Sequence, residues 1–108
     1  MPIAILAILF CGVVGVVLFR VMADQRAHSV VLRWNAPVPK PGITVASYSV
    51  LRGTQPGGPY KPIALGITRL SYTDSNVSNG KTYYYVVRAV DTAGNQSPYS
   101  EEASAAIP

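Results

Sequence analysis

The side chains that could carry acid–base, nucleophilic or metal chemistry are few and scattered along this sequence. Cys11 is the single cysteine and lies in an apolar segment, so the rest of the chain has no disulfide and no thiolate metal site. His28 is the single histidine, and a catalytic or metal role would need partners, whereas the nearest carboxylate, Asp24, stands alone. Asp74 and Asp91 stand at predicted turns and strand ends, where turn chemistry explains them better than acid–base catalysis does. We therefore predict no catalytic, cofactor-binding or metal-ligating residue, and we expect that the protein is not an enzyme.

Tyrosines offer a different kind of chemistry, the binding of a ligand on an aromatic surface. In the run 83–85, the alternation of a strand directs Tyr84 outward and its two neighbours inward. Tyr60, Tyr84 and Tyr99 are then candidates for an exposed surface that stacks on sugars or contacts a protein. The competing interpretation, which we favour at this point, is that they are half-buried tyrosines that pack across strands.

The charged residues exclude one class of partner. Nine Lys and Arg against five Asp and Glu give a net charge of +4, but the basic residues are dispersed along the chain. Nucleic-acid binding needs a basic stripe or patch, so no nucleic-acid partner is expected. On the predicted last strand, Glu101 and Glu102 face opposite sides, and one exposed carboxylate there is typical of a guarded sheet edge.

Residues 2–19 contain no charged side chain and are almost wholly apolar. A helix of this length spans roughly 30 Å, the thickness of a bilayer core, so we predict a transmembrane helix over residues 1–23 and a short stem over 24–28. A cleaved signal peptide is the alternative, because Val21-Met22-Ala23 resembles a cleavage site. The run is longer than a usual signal core and no basic residue precedes it, which favours a retained anchor.

The predicted helix carries a stripe of small residues at three- and four-residue spacing. Such stripes allow close approach between membrane helices, although Ala and Gly are also simply frequent in them. The helix-packing face predicted in this way consists of Ala4, Ala7, Cys11 and Gly15.

From residue 29 onward the sequence alternates apolar and polar positions between Pro- and Gly-rich turns. This pattern predicts strands and no helix, and short strands at such spacing are typical of a β-sandwich. The predicted strands cover residues 29–35, 45–52, 60–65, 71–74, 82–90 and 99–107.

The same residues form one extended pattern. It runs from Val30-x-Leu32-x-Trp34 through Tyr48-x-Val50-x-Arg52-Gly53 and Tyr72-x-Asp74 to Val77-x-x-Gly80-x-x-Tyr83-x-Tyr85-x-Val87-x-Ala89-Val90-Asp91, and it ends with Gly94-x-x-Ser97-Pro98-x-Ser100. The pattern closely resembles a fibronectin type III domain of the bacterial kind over residues 29–108. The resemblance implies an all-β, immunoglobulin-like sandwich, here preceded by a single transmembrane α-helix.

The resemblance assigns structural roles to the aromatic positions. It implies that Tyr83 is the tyrosine corner of the domain, with its hydroxyl on a backbone group near the turn, and that Gly80 needs a positive φ. The structural core expected from the pattern includes Trp34, Tyr48, Tyr72, Tyr83 and Tyr85.

The sequence departs from the family at its first strand. The family opens with a strand of its own before the tryptophan strand, and only residues 24–28 separate the predicted helix from the latter. We therefore predict that the edge at Val31 and Arg33 is unpaired and available to a partner.

These observations predict a non-catalytic, single-pass membrane protein that presents one type III-like domain, as a structural accessory subunit of a larger membrane protein complex. The alternative is a cell-surface adhesion module or a carbohydrate- or protein-binding module. The expected partners are membrane lipid and other membrane subunits, with no small-molecule substrate and no cofactor. We expect the bacterial cytoplasmic membrane with the domain on the extracytoplasmic side, whereas Arg20 and Arg26 point the other way under the positive-inside rule.

Overall fold

The computed structural model describes the backbone of residues 4–11, 15–23 and 28–108, and the side chains of residues 28–108. Within this part of the chain there are eight strands and no helix. The strands are β1 (Ala4–Cys11), β2 (Gly15–Ala23), β3 (His28–Trp34), β4 (Val45–Gly53), β5 (Lys61–Ile67), β6 (Ser71–Asp74), β7 (Thr82–Asp91) and β8 (Ala103–Ala106).

Two antiparallel sheets form a sandwich. The first sheet has the order β1-β2-β3-β6 and the second has the order β5-β4-β7-β8. The period-2 pattern of the sequence explains which faces meet. In β3, Val30, Leu32 and Trp34 are buried while Arg33 is exposed, as expected for a strand with one face on a core. The all-β fold predicted from the sequence is confirmed for the described residues.

The core lies between the sheets and is dominated by β3, β4 and β7. The rings of Trp34 and Tyr48 meet edge to face, with centroids 5.5 Å apart. Such aromatic pairs add stability beyond the area that they bury. The structure places Trp34, Tyr48, Tyr83 and Tyr85 in this core, and Tyr72 lies half-buried against it.

The turn before β7 has the geometry of a tyrosine corner. The hydroxyl of Tyr83 accepts a hydrogen bond from the backbone N–H of Ser78 at 2.9 Å. Gly80 has a φ of +76°, and its N–H donates to the carbonyl of Ile107 at 2.9 Å. The positive φ predicted for Gly80 is confirmed, because the turn needs a left-handed backbone that glycine adopts without a steric penalty.

A buried polar network joins the two sheets at one end of the core. The Asp74 carboxylate accepts hydrogen bonds from Arg52 Nη1 at 2.7 Å, from the Tyr85 hydroxyl at 2.7 Å and from the Asn76 N–H at 3.1 Å. The guanidinium of Arg52 also lies over the Tyr83 ring, 5.1 Å from its centroid. Asp74 was predicted as a turn residue, and the structure adds this ion pair, which the sequence did not indicate.

The N-terminal segment differs from the prediction. We predicted a transmembrane helix over residues 1–23, but the described backbone of this segment forms β1 and β2. A continuous apolar run rich in Ile and Val suits a buried strand as well as a helix, and periodicity alone does not separate the two. No helix among the described residues is long and apolar enough to cross a membrane.

The small residues Ala4, Ala7, Cys11 and Gly15 thus lie on strands and not on a helical face. Their side chains fall outside the described part of the structure, as do residues 24–27 of the predicted stem. His28, the last stem residue of the prediction, is the first residue of β3 and is half-buried.

The prediction that β3 has a free edge also disagrees with the structure. β2 runs antiparallel along β3, with Arg20 opposite Val31 and Leu18 opposite Arg33, and β6 pairs with the other side of β3. β3 is therefore an interior strand. The reason is that the apolar segment supplies the strand which the prediction considered missing, so the chain pairs the edge itself.

Candidate functional site

A shallow groove of about 270 Å³ lies on the outer face of the second sheet, away from the core. We call it the tyrosine groove. It contains polar, apolar and aromatic side chains, which is the usual composition of a ligand site. It is lined by Ser49, Leu51, Tyr60, Pro62, Leu65, Arg88, Gln96 and Tyr99.

Two aromatic rings form one wall of the tyrosine groove. The centroids of Tyr60 and Tyr99 are 5.5 Å apart, and the ring planes are inclined by 78°. Tyr99 is 39% exposed and the nearby Leu65 is 70% exposed, so this wall presents apolar surface to solvent. Exposed apolar surface that is bordered by polar groups is typical of interaction sites.

The segment after the β7 turn fixes the position of Tyr99. The hydroxyl of Ser97 accepts the N–H of Ala89, and the hydroxyl of Ser100 accepts the N–H of Val87, both at 2.8 Å. Two serines three residues apart thus hold the segment against β7, and Tyr99 lies between them. This accounts for the Ser97-Pro98-x-Ser100 motif in physical terms, because each serine satisfies a strand N–H that no neighbouring strand reaches.

Arg88 forms the floor of the groove. It points outward from β7, because its neighbours Val87 and Ala89 face the core. Its guanidinium carbon is 3.9 Å from the centroid of the Tyr99 ring, and its Nη1 donates to Gln96 Oε1. A cation–π contact of this kind holds both side chains in one arrangement, so this side of the groove is preorganised.

Glu102 holds the other aromatic residue. Its carboxylate accepts hydrogen bonds from the Tyr60 hydroxyl and from the Gly57 N–H, the latter at 2.7 Å. Burial, and after it the hydrogen bond to Glu102, raises the pKa of Tyr60 to about 12. Glu102 therefore joins the turn between β4 and β5 to the segment before β8 and fixes the Tyr60 ring.

The turn that carries Tyr60 depends on a close backbone approach. A Cβ at Gly53 would stand 2.6 Å from the carbonyl oxygen of Pro59 and 3.2 Å from the Tyr60 ring. Glycine is the residue that allows this approach without displacing the turn. The turn chemistry thus determines where Tyr60 lies.

The structure brings together two of the three tyrosines that the sequence suggested as a surface. Tyr60 and Tyr99 meet in the groove, whereas Tyr84 is half-buried on β7 opposite Gly53 and does not line it. Sequence reasoning missed Arg88, although its outward register on the strand was a usable signal. It also interpreted Glu101 and Glu102 only as a pair of which one guards a sheet edge, because nothing in the sequence connects Glu102 to a residue 42 positions away.

The described residues contain no group of three or more His, Cys, Asp or Glu side chains that could hold a metal ion. Asp91 is engaged in its own turn, where it accepts the N–H groups of Asn95 at 2.7 Å and of Ala93 at 3.0 Å. What the groove can offer chemically is therefore stacking, apolar contact and hydrogen bonding.

Comparison with known proteins gives matches to curated bacterial enzymes and to solved structures. The sequence is 48% identical to amylopullulanase from Thermoanaerobacter thermohydrosulfuricus over 59 residues, which is 55% of this chain and 4% of that protein. It is 39% identical to exoglucanase B from Cellulomonas fimi over 72 residues, which is 67% of this chain and 6% of that protein. The chain thus spans only a small part of the length of these curated relatives.

One solved structure matches this chain over nearly the whole length of both proteins. The crystal structure of an Fn3-like protein from Clostridium thermocellum is 37% identical, with a TM-score of 0.66, and the match covers 99% of this chain and 94% of that chain. No protein-family model matches the sequence. The likeness to the solved structure agrees with the two-sheet sandwich described above. On this basis, the chain belongs to the fibronectin type III family.

Proposed function

We propose that the chain is a non-catalytic accessory module that binds polysaccharide through the tyrosine groove. The observation that carries the proposal is the contact between Tyr99, which is exposed, and Tyr60, which is half-buried; Arg88 and Glu102 hold the two rings in place. A sugar ring has an apolar C–H face and a rim of hydroxyl groups. An aromatic wall with adjacent hydrogen-bonding side chains is complementary to both features.

The relatives support a module of this kind. Amylopullulanase and exoglucanase are named for action on polysaccharides, and the chain matches only a small share of each. These matches favour the alternative of the sequence analysis, a carbohydrate-binding module. The predicted role as a subunit of a membrane complex has no support from the described residues or from the comparisons.

The groove itself argues for binding without catalysis. Glycoside hydrolysis generally uses two carboxyl groups that flank the scissile bond. The residues that line the tyrosine groove include no carboxylate, and the adjacent Glu102 is engaged with Tyr60 and Gly57. The groove therefore has the parts of a binding site and lacks the pair that hydrolysis would need.

A spacer role between other domains is the second candidate. It is favoured by the observation that the chain matches small parts of much longer enzymes. A spacer needs a stable fold but no exposed aromatic wall, so the two candidates differ in what they predict for the tyrosine groove.

The test is calorimetric titration of the full chain with pullulan and with soluble cello-oligosaccharides. We expect binding to at least one of them and a loss of about tenfold in affinity for Tyr99→Ala. Leu70→Ala is the matched control, because Leu70 is 43% exposed and lies outside the groove. Absence of binding, or equal loss in both variants, would leave the spacer role as the better account.

A further inference from the structure

A second groove, of about 400 Å³, lies between the loop that follows β3 and the loop that follows β7. We call it the proline groove. Its lining includes Pro37, Val38, Ile43, Asp91, Asn95 and Gln96. Of these residues, only Gln96 also lines the tyrosine groove on which the proposed function rests.

The proline groove has one apolar wall and one polar wall. Val38 is 78% exposed and Ile43 is 53% exposed, and both border the groove. Large apolar side chains with this degree of exposure at one site mark an interaction surface. The opposite wall carries the carboxylate of Asp91 and the side-chain amides of Asn95 and Gln96. An apolar wall facing hydrogen-bonding groups again suits a sugar.

Both walls are held in place by hydrogen bonds within the chain. The Thr92 N–H donates to the Thr44 carbonyl at 2.9 Å, which joins the two loops. The Asp91 N–H donates to the Asn95 carbonyl at 2.9 Å, and the Asp91 carboxylate accepts from the Asn95 N–H and side chain. The hydrogen bonds that the carboxylate accepts, that from the Asn95 N–H foremost, lower the pKa of Asp91. A preorganised groove binds without the entropic cost of ordering loops.

The two grooves meet at one residue. Gln96 lines the proline groove and the tyrosine groove alike. Its position is fixed by a β-bridge to Val90 and by the hydrogen bond from Arg88, whose guanidinium covers Tyr99. A ligand that passes Gln96 would contact both grooves.

The geometry also limits the form of the ligand. The rings of Tyr60 and Tyr99 are inclined by 78°, so they cannot both lie flat against a planar polysaccharide surface. The lining of the proline groove contains one acidic residue, Asp91, and one basic residue, Lys40, so its charges balance and favour neither an anionic nor a cationic sugar. A single, uncharged polysaccharide chain meets both conditions.

We infer that the two grooves form one continuous surface for a single neutral polysaccharide chain, with one sugar on the tyrosine groove and the following sugars along the proline groove. This inference rests on the proposed function and adds a second subsite to it. It predicts that affinity depends on the length of the chain, because short ligands reach only one groove.

Titration of the full chain with maltose and maltoheptaose, and with cellobiose and cellohexaose, tests this inference. We expect the longer member of the bound series to bind about tenfold more tightly than the shorter one. Val38→Ser and Ile43→Ser should remove most of that difference while the affinity for the shorter ligand stays unchanged. Tyr99→Ala should weaken both ligands, and Leu70→Ser should weaken neither.

The outcomes separate the inference from the function on which it rests. Equal affinity for short and long ligands, with both weakened by Tyr99→Ala, would overturn the second subsite and leave the tyrosine groove as the site. Binding to crystalline cellulose without binding to any soluble chain would overturn the single-chain geometry. No binding of any of these ligands would overturn the inference and the proposed function together.

Discussion

Replacing Asp74 by alanine should destabilise the sandwich by several kcal/mol, because three donors depend on this one carboxylate. Its side chain is only 4% exposed, and it accepts hydrogen bonds from Arg52, Tyr85 and the Asn76 N–H. Alanine would leave the buried hydroxyl of Tyr85 and the guanidinium of Arg52 without this acceptor. The change therefore removes an ion pair and, with it, the hydrogen bond that the buried Tyr85 hydroxyl donates.

The magnitude follows from these two losses. Breaking a buried ion pair by removing one partner costs about 3–5 kcal/mol, and losing one hydrogen bond costs about 0.5–1.5 kcal/mol. Arg52 is 20% exposed, so water recovers part of the first loss. The two effects share one network and do not add fully. We expect a decrease of about 3 kcal/mol in the free energy of unfolding, near the lower end of the range for a buried pair.

Urea denaturation followed by the fluorescence of Trp34, the single tryptophan, measures this change. Tyr85→Phe is the matched control, because it removes one of the three hydrogen bonds and should cost about 1 kcal/mol. Asp74→Asn keeps the shape and an acceptor oxygen, so it should fall between the two. If Asp74→Ala costs no more than Tyr85→Phe, the carboxylate does not join the sheets as we describe.

Three further changes test the positions around the site. Tyr83→Phe removes the hydrogen bond from the Ser78 N–H and should lower the free energy of unfolding by about 1 kcal/mol in urea; no change would refute the corner. Gly53→Ala places a Cβ 2.6 Å from the Pro59 carbonyl oxygen and should cost about 1–3 kcal/mol; a neutral result would mean that the turn moves freely. Tyr60 should ionise near pH 12 in a difference titration against Tyr60→Phe. Because its folded pKa is raised above the ordinary 10.0, the stability it contributes is complete below pH 10 and declines towards pH 12; ionisation near pH 10 would show that its hydroxyl is not held.

The sequence was sufficient to predict the sandwich, because its signals are local. The alternation of apolar and polar residues in β3 and β7 identifies Trp34 and Tyr85 as residues that face the core. The turn at Gly80 indicates where β7 begins. The N-terminal segment was different, since an uninterrupted apolar run has no period that separates a helix from a buried strand. Whether that segment forms a helix or a strand depends on whether β3 has an edge with which it can pair. The presence of such an edge is a property of the whole fold and not of the segment.

The site was only partly predictable for a related reason. Alternation showed that Tyr84 faces outward, yet it could not show that Tyr60 and Tyr99 meet while Tyr84 stands apart. The bond between Tyr60 and Glu102 spans 42 positions, and the pair of Arg52 and Asp74 spans 22. Such contacts depend on the register between strands and on the turn geometry, which single residues do not encode.

The most direct test of polysaccharide binding at the tyrosine groove is an NMR titration of the full chain with pullulan, in which the tyrosine ring signals are followed. We predict that the signals of Tyr60 and Tyr99 shift with added pullulan, whereas those of Tyr48, in the core, and Tyr72, at the first sheet, do not. Unchanged signals from Tyr60 and Tyr99, with binding seen elsewhere on the domain, would contradict the assignment of the site.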